Sequence, residues 1–281
     1  MKIGGHVSAA GGVDTAVQRA LDIGANCFQI FITSPRTWRK NTYSDEQIAE
    51  FSKGIDTYGL KPVFIHALYL VNLATDNKEL LEKSIDALAH ALIMADRLGI
   101  QGVIYHTGSK RDRDHDEAMT QVIETMKEVL KRAPGKSQLI VEGAAGQGGA
   151  LGSTFDELGQ MIKGASSDRV KVCLDMCHLF AAGFDLRTKT GIDETLGEFD
   201  QKVGLENLVV IHSNDSKFGL GEARDRHENI GEGKIGNEGF RLLVNDSRLT
   251  NLPWILEVPG FGEHKGPDQK NIDQLKSLHR D

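Results

Sequence analysis

The chain has no basic excess. Its 33 lysines and arginines stand against 40 aspartates and glutamates, a formal net charge of -7 over 281 residues. That balance argues against a surface coated in cations for nucleic acid, although bound divalent ions would offset most of it and belong in the same account. Long apolar runs are missing as well: nothing in the sequence approaches the roughly 18 residues a membrane span needs. Met1-Lys2-Ile3-Gly4 leads straight into a strand pattern, without a signal-peptide segment. Three cysteines, Cys27, Cys173 and Cys177, are too few and too oddly numbered for a disulfide framework. The expected setting is therefore the cytoplasm, with no membrane partner. Thiolate ligation by Cys173 or Cys177 is conceivable beside Asp175 and His178, but the ordinary role of such a cysteine is that of a small buried hydrophobe. The glycine-rich stretch 143–153 has no Gly-Lys-Ser/Thr after it, which excludes a P-loop, and backbone packed close to a crowded site is the better account of it.

What the chain does have is a repeated strand ending. Phe64-Ile65-His66, Ile104-Tyr105-His106, Ile140-Val141-Glu142, Cys173-Leu174-Asp175, Val210-Ile211-His212 and Ile255-Leu256-Glu257 are each a short apolar run that stops on a metal-ligand type. Strands are expected at 2–7, 27–32, 61–66, up to His106, at 138–142, 170–175, 208–211 and 252–257, with amphipathic helical patterns between them. Ser44 with Gln47 forms a capping box before one helix, and Leu81, Ile85, Leu88, Ala89 and Leu92 form the stripe of another that Gly99 closes. Eight strand-helix units without a linker predict an α/β fold, a (β/α)8 TIM barrel with 1–281 as one domain, since such barrels occupy about 250 residues. A parallel barrel brings all strand C-termini to one face, so residues far apart in sequence converge there.

Beyond strand seven, a long polar loop adds Asp225 and His227. Their x-spaced side chains share a face if the segment is extended, and His178 follows Asp175 by three. The candidate ligands are then His66, His106, Glu142, Asp175, His178, His212, Asp225, His227 and Glu257. One zinc site uses about four ligands, so this set implies two or three ions sharing carboxylates. The imidazole content favours zinc, with manganese or iron possible, over magnesium or calcium. His6 ends strand one and is read as a hydrogen-bond partner of a ligand. Two loops suit DNA: the segment from Thr33 to Lys40, where Arg36, Arg39 and Lys40 flank an exposed-looking Trp38 or else form a solvated loop with Trp38 folded back on the barrel, and the apolar Ala67-Leu68-Tyr69-Leu70-Val71-Asn72-Leu73, a wedge for an opened duplex or else packed core. The mixed-charge loop 110–117 is expected to cap the next helix and to face water.

The segments His6-Val7-Ser8-Ala9-Ala10-Gly11-Gly12, His66-Ala67-Leu68-Tyr69-Leu70-Val71-Asn72-Leu73, Asp175-Met176-Cys177-His178-Leu179-Phe180-Ala181-Ala182-Gly183 and Asp225-Arg226-His227-Glu228-Asn229-Ile230-Gly231-Glu232-Gly233 closely resemble the endonuclease IV family of apurinic/apyrimidinic endonucleases, over nearly the full length. The resemblance implies a (β/α)8 barrel with three zinc ions per chain. One would be held by His66, His106 and Glu142, a second by Glu142, Asp175, His212 and Glu257, and a third by His178, Asp225 and His227, with Glu142 bridging as the catalytic carboxylate. It implies that Arg36, Tyr69 and Leu70 probe the minor groove of duplex DNA at an abasic site. The implied reaction is base-excision-repair hydrolysis of the phosphodiester 5′ to that site, leaving 3′-hydroxyl and 5′-deoxyribose phosphate ends, by an enzyme expected to be a monomer. Gly143-Ala144-Ala145-Gly146 departs from the family's usual Asn-Thr-Ala-Gly, which bears on the support of the ligands, and Leu68 departs in the wedge loop. A sugar isomerase of the xylose-isomerase type would be richer in carboxylates, and a zinc-stabilised DNA-binding protein would bind without cutting.

Overall fold

The computed structural model describes residues 1–262 and 265–280. Eight parallel strands close into a barrel: β1 (Lys2–Val7), β2 (Cys27–Ile30), β3 (Val63–His66), β4 (Gly102–Tyr105), β5 (Gln138–Glu142), β6 (Val170–Asp175), β7 (Leu208–His212) and, last in the chain, β10 (Pro253–Leu256). β10 lies between β7 and β1, so the first and last strands pair, with Gly5 opposite Leu256. A two-stranded antiparallel ribbon of β8 (Asp215–Ser216) and β9 (His227–Glu228) sits in the long loop after β7, where the sequence suggested only irregular chain. The strands begin and end within two residues of their expected bounds, with β2, β4 and β10 stopping one or two residues short.

The helices are α1 (Thr15–Asp22), α2 (Asp45–Thr57), α3 (Lys78–Leu98), α4 (His115–Arg132), α5 (Phe155–Ala165), α6 (Met176–Ala182), α7 (Lys189–Lys202), α8 (Gly236–Val244) and α9 (Gln269–Leu278). Their ends follow local chemistry. Ser44 and Gln47 form the expected reciprocal cap of α2, and Gly99 closes α3 at φ 65°, a left-handed conformation that costs glycine nothing. The loop before α4 does cap it, through Asp114, but not all of its charges face water: Arg113 donates to the Ala74 carbonyl at 2.7 Å and His115 pairs with Glu157 at 2.9 Å.

Strand parity explains how the barrel carries a site. Side chains two apart on a strand share a face, and the interior holds one apolar layer of Cys27, Phe64, Ile104, Ile140, Cys173, Val210 and Ile255, all fully buried. Two residues further on, toward the C-terminal mouth, each strand contributes a polar side chain: His6, Gln29, His66, His106, Glu142, Asp175, His212 and Glu257. The outer faces of the strands pack against the helices in a second and larger core that includes Val103, Leu139, Val172 and Trp254. Burial of apolar surface in these two layers, at about 25 cal/mol per Å², supports a ring of ionisable groups that is itself costly to bury.

Candidate metal centre at the barrel mouth

The polar layer converges. Glu142 is fully buried, and its two oxygens face four imidazoles: Oε2 lies 3.2 Å from His66 Nε2 and 3.6 Å from His106 Nε2, while Oε1 lies 3.0 Å from His212 Nδ1 and 3.3 Å from His178 Nδ1. Burial alone would raise this carboxyl, but the charges of His106 and His212 and hydrogen bonds from His212 and His66 hold it well below the ordinary carboxylate range. Asp175 caps α6 by accepting from the His178 N–H at 3.0 Å. This short helix, which the sequence did not reveal, turns His178 back over the mouth three residues after the strand ends. Gly183 closes it at φ 111°.

Three groups of donors have ligand atoms within 4.8 Å of one another: His66, His106 and Glu142; Glu142, Asp175, His212 and Glu257; and His178, Asp225 and His227. A further group joins Cys177 to Asp175 and His227. Cys173 and Cys177 are buried free thiols whose pKa burial pushes up, Cys173 to about 12, so a protonated, hydrophobic role suits both.

The donor chemistry suits cations. A carbonyl oxygen can only accept, so the ring nitrogen facing it carries the proton and the other presents a lone pair. His66 Nδ1 faces the Ala67 carbonyl at 2.8 Å, His178 Nδ1 the Gly143 carbonyl at 2.9 Å and His227 Nδ1 the Glu257 carbonyl at 3.1 Å. Each therefore turns Nε2 inward. His178 Nε2 and His227 Nε2 are buried with no hydrogen-bond partner, yet both lie beside Asp225 Oδ1, at 3.3 and 3.2 Å. Lone pairs converging on a carboxylate repel unless a positive charge lies between them. In the protein alone that charge is a proton: burial would lower the His227 pKa, but Asp175 and Asp225 raise it to about 9.

Asp225 and His227 are brought in by a loop with its own fastening. The Asp215 carboxylate is buried and accepts the backbone N–H groups of Ser216, Gly231, Gly233, Ile235 and Gly236 at 2.8–3.2 Å. A Cβ on Gly233 would stand 2.4 Å from that carboxylate, so the close approach requires glycine. The stretch Ile211-His212-Ser213-Asn214-Asp215 stands out in the sequence, but nothing local assigns Asp215 this fastening role. The same holds for Asn214; its amide donates to Asp175 Oδ2 at 2.6 Å and accepts from the Glu257 N–H at 2.7 Å.

The remaining candidates surround the mouth. His6 lies 3.0 Å from Glu257 Oε1, as expected of a ligand's partner. Arg36 is exposed. Tyr69 is 57 % exposed, its ring edge-on to Phe31 and His66 at centroid distances of 5.3 and 5.8 Å, whereas Leu70 is half-buried and Val71 and Leu73 are core. The wedge loop is thus part tip and part core. The Tyr69 N–H donates to the Pro35 carbonyl at 3.1 Å, tying that tip to the Arg36 loop. Trp38 is half-buried and borders one cavity with His90 and Ala91 of α3, in keeping with the folded-back alternative. The glycine stretch also differs from expectation. A Cβ on Gly143 would meet nothing nearer than 3.6 Å, so crowding is not the reason for it, while Gly146, Gly148, Gly149 and Gly152 all adopt positive φ in a turn. Ala144 and Ala145 line a cavity of about 250 Å³ beside His106 and Asp225.

Fold and site together define an enzyme class: a (β/α)8 barrel whose mouth gathers histidines and carboxylates suited to metal ions. A family model described as a xylose isomerase-like TIM barrel matches residues 17–278. Within it, the chain belongs to the endonuclease IV family. It is 39 % identical over 282 residues to a probable endonuclease 4 of Halothermothrix orenii, covering all of both chains, and 37 % identical to one of Aquifex aeolicus, covering 99 % of this chain and 97 % of that one. The crystal structure of endonuclease IV from Thermus thermophilus superposes with a TM-score of 0.88 at 36 % identity, covering 99 % of this chain and 98 % of that chain. A D-tagatose 3-epimerase-like protein shares the barrel at TM-score 0.70 and 18 % identity, over 99 % of this chain and 94 % of that one, a likeness of fold alone. Among the described residues, no helix is long and apolar enough to cross a membrane.

Proposed function

We propose that this chain is a zinc-dependent AP endonuclease that hydrolyses the phosphodiester 5′ to an abasic site in duplex DNA. The observation that carries the reading is the fixed orientation of four imidazoles, His66, His178, His212 and His227, whose N–H groups are committed to backbone or amide acceptors while their lone pairs meet around Glu142, Asp175, Asp225 and Glu257. His66, His106 and Glu142 would hold one ion, Glu142, Asp175, His212 and Glu257 a second, and His178, Asp225 and His227 a third. Bound there, divalent cations supply Lewis-acid stabilisation of phosphate charge and a nucleophile from water near neutral pH. Water adds its oxygen to phosphorus, the bond to the preceding nucleotide's 3′ oxygen breaks, and that oxygen ends protonated. The protein contributes orientation: Asp175 is anchored by Asn214 and by the α6 N–H, Glu257 by His6 and Gln29, and none has to reorganise as charge develops.

DNA would approach the same face. Despite the acidic chain, the loop 31–44 carries Arg36, Arg39 and Lys40 and no acid, and Arg224 and Arg226 stand exposed beside the metal loop. An abasic nucleotide has no base to unstack, so displacing it costs less than displacing an intact one. The sugar-isomerase reading has only fold-level likeness behind it, and this donor set is richer in imidazole than the carboxylate-rich sites of that chemistry. The deciding assay is incubation with a duplex carrying one tetrahydrofuran abasic analogue, with and without chelator. Incision to a 3′-hydroxyl only without chelator is the expected result; no incision under either condition would overturn the proposal, and the analogue cannot be cut by β-elimination.

Two substitutions divide the roles. His227→Ala removes one donor of the loop-borne group and should lower bound metal by one ion, reducing cleavage more than duplex binding; equal losses of both would make the loop a DNA clamp instead. Leu70→Ala, and Tyr69→Ala with it, should weaken binding to abasic duplex by about 1–3 kcal/mol, with zinc content and cleavage at saturating DNA kept. Were Leu70 only core, its loss would appear as about 2–5 kcal/mol of stability with unchanged discrimination between abasic and intact duplex.

A further inference from the structure

Of the eight side chains in the polar layer, Gln29 is the one with neither charge nor affinity for zinc, and it is fully buried. A buried amide is costly unless its donors and acceptor are used. Here none of the partners is backbone. Gln29 Nε2 lies 2.7 Å from Glu257 Oε1 and 2.9 Å from His6 Nδ1, and Gln29 Oε1 lies 2.9 Å from His212 Nε2. The orientation follows from chemistry: a carboxylate only accepts, so the NH2 end must face Glu257 and the carbonyl end must face His212. The carbonyl in turn requires a proton on His212 Nε2. That leaves Nδ1 to present its lone pair where Glu142 Oε1 lies at 3.0 Å and Glu257 Oε2 at 3.4 Å. Of His66, His106 and His212, which end barrel strands or directly follow them, His212 alone turns Nδ1, and not Nε2, toward Glu142; His178 of α6 also has Nδ1 near that carboxylate but directs it to the Gly143 carbonyl.

We propose that Gln29 is a positioning residue that sets the His212 tautomer and aims the free oxygen of Glu257, making both into donors for one cation. The inference rests on the metal-centre reading above and adds to it the residue that pre-arranges one group. Partners that orient ligands in this way typically change metal affinity about 10- to 100-fold. The group on the other side of the mouth, His178, Asp225 and His227, makes no hydrogen bond to Gln29 and serves as an internal control.

The test uses full-length Gln29→Leu and Gln29→Glu proteins. Leucine removes both hydrogen-bonding ends. Glutamate keeps the size and an acceptor for His212, but sets a second carboxylate against Glu257. Zinc affinity is measured by competition with a chromophoric chelator, melting temperature on the metal-free proteins, and the His212 tautomer by 15N imidazole correlation spectra. The expected result is one ion weakened about 10- to 100-fold in both variants, the other ions held as in the parent, and His212 losing its Nε2–H form in the leucine variant. If leucine prevents folding, the glutamate variant carries the same expectation for the one ion. Unchanged zinc affinity with an unchanged His212 tautomer would overturn the proposal, and a lowered melting temperature accompanied by unchanged affinity would reduce Gln29 to a packing role. A parent protein that binds no zinc would instead overturn the reading of the centre itself.

Discussion

Glu142→Gln is expected to lower cleavage of an abasic duplex by at least about 1,000-fold, some 4 kcal/mol of transition-state stabilisation, while leaving duplex binding within a few-fold of the parent. The size follows from position. Both Glu142 oxygens are surrounded by imidazoles, and two donor groups share this one side chain. An amide of the same shape offers only one oxygen and places an NH2 where a second acceptor stood, so two groups lose their common carboxylate at once. Metal analysis should show fewer ions, and the loop-borne group of His178, Asp225 and His227 should be the one retained. Cleavage within tenfold of the parent would remove Glu142 from the chemistry.

Stripping metal with a chelator should lower the melting temperature by more than about 10 °C. A ligand present at a thousand times its Kd stabilises the folded state by about 4.1 kcal/mol, and in a chain of this size each kcal/mol moves the midpoint by roughly 2–4 °C. One tightly held ion therefore accounts for roughly 8–16 °C, and the shift grows with the number released. Asp175 and Glu142 are fully buried and, among the described residues, have no lysine or arginine as ion-pair partner, so removal of the ions leaves imidazoles as the only groups nearby that can carry a balancing positive charge. Restoring zinc should restore the midpoint. Melting curves that coincide with and without chelator would show that these side chains do not depend on a cation for stability.

The barrel was legible because alternation and punctuation agree. Phe64 and His66, Ile140 and Glu142, Cys173 and Asp175, and Val210 and His212 each put an apolar plug and a polar donor on one face, and an apolar run that ends on such a donor marks both the strand and its C-terminal end. The same parity rule applied to Cys27 would have found Gln29. It was passed over because glutamine is not a metal-ligand type and lies inside an apolar run. Local signals also failed where long-range contacts decide structure. α6 is only one short run after Asp175, too brief for helical periodicity to register, and it exists because Asp175 caps it. The ribbon of β8 and β9 pairs two-residue segments that no propensity distinguishes from loop. Trp38, whose charged neighbours left it open between an exposed and a folded-back placement, is half-buried.

The closure of the barrel by its own ends carries a consequence for when activity can arise. His6 comes from the first strand and Glu257 from just beyond the last, and they meet at 3.0 Å only after β10 has slipped between β1 and β7. Through most of its synthesis the nascent chain therefore holds a partial set of donors around an open sheet, with neither the first strand's neighbour nor the fourth member of the Glu142, Asp175 and His212 group in place. A chain cut short before residue 253 is left without that member, however well its remaining strands pair. On the proposed assignment of the centre, an unfinished or clipped copy would lack one donor of that group, so the full set assembles only with the last barrel strand.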